Sequence, residues 1–211
     1  MSTATADVRT GTRLPKAAHR EQPWRIHELT PDFELEDVWS LPTPGGPDDF
    51  PLLLQMNSGA DAYNHPSLVV RTMMNLRWRL GALLGWDGDA DGVGQRVPSM
   101  RDRLPQDLRD GPRGHESKNG LFQPLYLTDT EFADEYANKT VHLVGHISWV
   151  RTPDGGYRGQ MAMLVKPNGR FGSLYMKAIK PFRYYLVYPA LMRSMAGDWR
   201  RLKAEQIGAA A

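Results

Sequence analysis

Two stretches of strict alternation, separated by a turn, constrain this chain more than any other feature in it. From Thr140 to Val150, Val141, Leu143, Gly145, Ile147 and Trp149 fall on one side; Thr140, His142, Val144, His146 and Ser148 fall on the other. From Tyr157 to Lys166, Tyr157, Gly159, Met161, Met163 and Val165 share a side opposite Arg158, Gln160 and Lys166. A period of two residues is the signature of a β-strand. Pro153-Asp154-Gly155-Gly156 between the two stretches is turn chemistry. Pairing Arg151 with Tyr157 sets apolar side beside apolar side and Trp149 opposite Gly159. A slip of one residue would mix the faces, so the pattern itself specifies the register. The expectation is a hairpin with the Trp149 face buried and His142 and His146 on an opposite, polar face.

A hairpin of this kind needs a partner layer, and the following segment offers one. After Pro167-Asn168-Gly169, a helix is expected from about Phe171 to Ala204. Its stripe is Phe171, Tyr175, Ala178, Phe182, Tyr185, Pro189, Met192, Ala196 and Trp199, at steps of three or four. Pro181 and Pro189 each remove a backbone donor, so kinks are expected there. A second helix is expected from Pro66 to Leu84. A short one carries Phe50, Leu53, Leu54 and Met56 behind a cap at Asp48 or Asp49. Trp24 to Leu29 reads as an entry strand. Phe122–Thr128 and Thr130–Asn138 offer further strands, although Thr128-Asp129-Thr130-Glu131 also reads as a helix-capping box. Residues 1–22 read as a flexible N-terminal tail, 23–204 as a single domain with a long loop at 87–120, and 205–211 as a frayed tail.

Composition enters by exclusion. The 211 residues contain no cysteine, which removes disulfides, thiolate metal sites and thiol catalysis. No apolar run reaches the ~18 residues of a membrane span, and the N-terminus carries no apolar signal core. A cytoplasmic protein is the expectation. His142 and His146 are four apart, but on a strand that is ~13 Å, too far to share one ion. Asp87-Gly88-Asp89-Ala90-Asp91-Gly92 begins like a calcium loop, but Pro98 stands where the bidentate glutamate belongs. Gly92-Val93-Gly94 begins like a dinucleotide fingerprint without its third glycine or preceding strand. No metal and no cofactor are expected. Charge is segregated: Glu28 to Asp49 holds seven acids and no Lys or Arg, whereas Lys166 to Lys203 holds nine Lys or Arg against Asp198 alone. The basic segment could meet phosphate, anionic lipid or the acidic segment of its own chain. No corroborating motif accompanies it, which argues against nucleic acid and against a membrane surface.

Several motifs together resemble one uncharacterised bacterial family, domain of unknown function 2867. They are Pro23-Trp24-Arg25-Ile26-His27-Glu28, Pro42-Thr43-Pro44-Gly45-Gly46-Pro47-Asp48-Asp49-Phe50-Pro51, Arg77-Trp78-Arg79-Leu80-Gly81, Asn138-Lys139-Thr140-Val141-His142, Tyr157-Arg158-Gly159-Gln160-Met161-Ala162, Val165-Lys166-Pro167-Asn168-Gly169 and Ile179-Lys180-Pro181-Phe182-Arg183. The resemblance spans about Leu14 to Trp199. It implies an α+β fold of helix-grip type, similar to Bet v 1 and START-like proteins, in which a curved antiparallel sheet wraps a long C-terminal helix. The family domain also occurs fused behind nicotinamide-dependent short-chain dehydrogenase-like domains, which implies an oxidoreductase as a possible partner. No such domain is expected in this chain, and the family supplies no catalytic residues to carry over.

The functional expectation is a small-molecule binding module with an apolar ligand between sheet and C-terminal helix. The expected lining is Trp149, Tyr157, Met161, Met163, Phe182, Tyr185 and Met192. The alternatives are an enzyme on the same scaffold, cyclase- or hydrolase-like, and a partner module docking on an oxidoreductase or a membrane surface.

Overall fold

A computed structural model of the protein describes residues 11–58, 92–116 and 121–209, together with residues 71, 72, 75, 79 and 81. Six strands form one antiparallel sheet: β1 (Arg13–Leu14), β2 (Glu34–Ser40), β3 (Gln123–Leu127), β4 (Glu131–Ala137), β5 (Val141–Arg151) and β6 (Tyr157–Pro167). Their order is β1-β2-β6-β5-β4-β3. β5 and β6 pair in the register that the alternation specifies, with Trp149 opposite Gly159 and Arg151 opposite Tyr157. Among the described residues, the continuous helices are α1 (Ala17–Arg20), α2 (Ile26–Leu29), α3 (Phe50–Ser58), α4 (Gln106–Asp110), α5 (Gly169–Phe182) and α6 (Tyr188–Ala209). A π turn, Arg183–Val187, joins α5 to α6 into one long C-terminal helix. An open, curved antiparallel sheet with a long C-terminal helix is the α+β architecture expected.

The sheet is covered on both sides, and this corrects the expectation of a polar outer face. On the Trp149 side, Trp39, Phe50, Leu53, Ile147, Trp149, Tyr188, Met192 and Trp199 form one core. On the other side, Ile26, Leu29, Val38, Met100, Leu104, Leu108, Val144, Ala162 and Leu164 form a second. His142 and His146 lie opposite Trp149, as the alternation requires, but are 4% and 0% exposed.

The covering layer comes from segments whose patterns are too short to read. Arg13 and Leu14 pair with Trp39 and Val38 along the sheet edge, and His19 is buried, so residues 11–22 are not a loose tail. The expected strand at Trp24–Leu29 is a helical turn. Four alternating residues fit either state, and here Ile26 and Leu29, one turn apart, are both buried. The Thr30 N–H and hydroxyl both bond to the Ile26 carbonyl and close that turn. The described part of the expected 87–120 loop contains a 3₁₀ turn, Met100–Arg103, and α4; Met100, Leu104 and Leu108 are buried. At Thr128 the strand reading wins: its hydroxyl accepts the Glu131 N–H at 3.0 Å inside the tight turn from β3 to β4. The calcium-like segment 87–91 and most of the expected helix at 66–84 lie outside the described residues. Those of the latter that are described, 71, 72, 75, 79 and 81, are helical.

Candidate functional site

The polar face of the central hairpin is sealed at its middle, whereas the apolar, helix-facing side is buried only in part, at Val141, Ile147, Trp149, Gly159 and Val165. On the histidine side, His142, Val144, His146, Ser148, Arg158, Gln160, Ala162 and Leu164 are all buried. On the helix-facing side, Leu143, Gly145, Met161 and Met163 are only half-buried, as are Asp134 and Tyr136 of β4 on that same face. Asp134, Gly145, Met163 and Asp37 form one row across four strands. Accessible apolar surface is thus left at the middle of the sheet, beneath the layer that should seal it. A cleft of about 270 Å³ opens between α5 and the β2–β6 edge, lined by Glu36, Val165, Pro167, Met176 and Lys180 among others.

Asp134 is the polar group in this apolar patch. A Cβ at Gly145 would collide with the Asp134 Oδ1, so the glycine provides the room in which the carboxylate lies. No side chain among the described residues donates a hydrogen bond to it. Burial pushes its pKa up to about 7; its own backbone N–H acts against this, and the neighbouring Glu135 charge adds to it.

At the far end of the row, two backbone irregularities face each other. A bulge between Leu35 and Asp37 interrupts the β2–β6 ladder at Glu36 and leaves Asp37 on the helix-facing side. Across from it, the π turn presents Arg183 and Tyr184. Pro189 has no N–H to give the Tyr185 carbonyl, and the Tyr188 N–H bonds to the Arg183 carbonyl five residues back. Such bulges concentrate at functional positions in other proteins. Arg183 donates to Asp37 Oδ2 at 2.8 Å and to the Tyr188 hydroxyl at 2.6 Å, and that hydroxyl donates to Asp37 Oδ1 at 3.1 Å. Beside this triangle, Lys180 pairs with Glu36 at 2.9 Å, and the Tyr184 hydroxyl donates to the same carboxylate. Burial raises the Asp37 pKa despite Arg183 and Tyr188, whereas Lys180, Arg183 and Tyr184 together outweigh burial at Glu36 and hold it low. The triangle is closed: each member uses the others, and it ties the helix to the sheet.

Of the residues expected to line a pocket, Trp149, Tyr157, Met161 and Met192 meet in one cluster. Trp149 stacks near Tyr157 at a 12° interplanar angle and donates its indole N–H to the Gly46 carbonyl. This end is packed tightly, since a Cβ at Gly159 would come within 2.7 Å of Leu53 and 2.9 Å of Leu41. Met163 lies further along the same face, in the half-open region. Phe182 and Tyr185 do not face the sheet; they are 51% and 79% exposed. The π turn shifts the helical phase, so Arg183, Tyr184 and Tyr188 take the inward positions instead. Asp134 and Asp37 were hidden from sequence reasoning for a different reason: an acid on a strand reads as a solvent-facing residue.

A second constellation lies on the histidine side. The Glu131 carboxylate can only accept, so His146 donates to it from Nε2 at 3.1 Å. The His146 Nδ1 must then accept from His19 Nε2 at 3.0 Å, and the His19 Nδ1 from His27 Nε2 at 3.1 Å. The Arg25 N–H and the Tyr126 hydroxyl complete the shell of Glu131. Burial is the first cause that lowers the pKa of all three histidines, to about 2 at His19. His142 donates to Glu135 at 2.9 Å, and the Ser99 hydroxyl and Met100 N–H bond to that same carboxylate. Glu131 and Glu135 of β4 thus each hold the N-terminus of a short covering turn. Both groups are satisfied internally and serve as clamps.

Comparison with known proteins gives one result. No curated protein and no solved structure matches the chain. Residues 29–190, well over half of the sequence, match the family described as "Protein of unknown function (DUF2867)", and the chain belongs to that family.

Proposed function

We propose that the protein binds a largely apolar small molecule on the helix-facing side of the sheet, in the manner of the helix-grip superfamily. The observation that supports this reading is the incomplete burial of the apolar side of the central hairpin. Leu143, Met161 and Met163 keep accessible surface at the middle of the sheet, while the polar side of the same strands is sealed. A fold that only needed a core would bury the apolar side first. Methionine suits an adaptable wall because its side chain is unbranched and polarisable. Next to this patch, a cleft of about 270 Å³ between α5 and the sheet is lined by Val165, Pro167 and Met176 together with the polar Glu34, Glu36, Ser173, Lys177 and Lys180.

The test is binding of an apolar fluorescent dye to the wild type and to Met163→Trp, with native mass spectrometry of the freshly purified protein alongside. Dye binding by the wild type, lost in a variant that unfolds at the same denaturant concentration, supports the reading. Equal binding by both proteins overturns it.

A further inference from the structure

We propose that Asp134 is the counter-ion for a protonated nitrogen on the bound molecule, so that the site takes an apolar amine. This rests on the binding reading above and names the class of its ligand. The argument is one of unmatched charge. Four acids belong to the helix-facing side of the sheet: Glu36, Asp37, Asp134 and, at its rim, the exposed Glu34, which lies 3.6 Å from Lys16. The first two have their cations in place, Lys180 at 2.9 Å and Arg183 at 2.8 Å. Asp134 has none among the described residues: the charge acting on it is that of Glu135, which is also negative, and the hydrogen-bond donor it has is its own backbone. A carboxylate partly withdrawn from water without a partner is a cost to the fold. Gly145 makes that placement possible, because any side chain there would strike Oδ1.

What surrounds the carboxylate suits an alkyl- or arylammonium. Tyr136 and Leu143 lie in the next row on the same face and Met163 in its own row, all half-buried. An aromatic face and a thioether both tolerate a cation, and the apolar neighbours take its hydrocarbon body. Arg183 is already committed to Asp37 and Tyr188 and Lys180 to Glu36; Lys177 lines the cleft from α5 and is not part of the row that holds Asp134.

The experiment compares decylamine, 1-decanol and decanoate by titration calorimetry at about pH 6 and about pH 8, with wild type, Asp134→Asn and Gly145→Ala. Decylamine stays protonated across that range while Asp134 ionises. Its affinity should therefore rise by about tenfold from the lower to the higher pH, and that of decanol should not change. Asp134→Asn should abolish the pH dependence and weaken the amine by at least about tenfold, leaving decanol unchanged. Gly145→Ala, which displaces the carboxylate, should weaken the amine more than the alcohol. Equal affinity of amine and alcohol in the wild type, unaltered amine binding by Asp134→Asn, or a preference for decanoate overturns the assignment while leaving the binding reading intact. Failure of all three compounds to bind overturns both.

Discussion

At the scale of single residues, the chain carries ionisable groups that it buries for opposite reasons. Asp134 is half-buried with no partner among the described residues, and its carboxyl is raised from 3.8 to about 7. A raised carboxyl favours folding while protonated and opposes it once charged, so its contribution is lost as pH rises through about 7. Asp134→Asn should therefore stabilise the protein by ~1–3 kcal/mol at about pH 8, with the gain vanishing near pH 4, as read by urea unfolding. A loss of stability at the higher pH would mean that the carboxylate has a favourable partner and that the charge argument is wrong. The histidine chain behaves in the reverse sense. His19, His27 and His146 are held below the ordinary 6.5 and Glu131 below 4.5. Stability from the imidazoles is complete above about pH 6.5 and is lost as pH falls below it; Glu131 adds to the loss further down. In an Asp134→Asn background, unfolding free energy should drop between about pH 7.5 and pH 5, by up to about 1.4 kcal/mol per pH unit for each imidazole. A flat profile would show that these rings are not held neutral.

Elements reveal where glycines and bulges decide the packing. Trp149 is 3% exposed and lies against Phe50, Tyr157 and Trp199. Its replacement by Ala should cost ~3–5 kcal/mol, as aromatic truncations in cores do; thermal unfolding that shifts by only a degree or two would contradict this packing. The π turn makes a separate claim. Arg183→Met leaves Asp37 buried beside a lone hydroxyl and should destabilise by ~3–5 kcal/mol. Adding Asp37→Leu should restore most of that, because removal of both charges ends the desolvation cost. A double-mutant cycle with no coupling would show that the triangle does not hold the helix.

For the molecule as a whole, charge segregation along the chain is resolved within the fold. Lys166, Lys180, Arg183 and Lys203 of the basic C-terminal segment pair with Asp32, Glu36, Asp37 and Asp49 of the acidic one. Two segments more than a hundred residues apart thus meet along the sheet edge and the long helix. The sequence by itself determined the hairpin and its register, because a period of two leaves no other pairing that keeps faces consistent. It also determined the C-terminal half of the last helix, where Met192 and Trp199 are buried as the stripe requires. Three things were decided only by tertiary structure. The π turn changed which residues of the helix point inward, since a bulge of this kind depends on what faces it and leaves no local pattern. The histidine face became a core because short segments at 11–30 and 99–110, each with one to three apolar anchors, gain burial only once the sheet exists to receive them. Asp134 took its place in the apolar patch for the same reason: alternation tells which face a strand residue occupies, while what covers that face is fixed by chain far away in sequence.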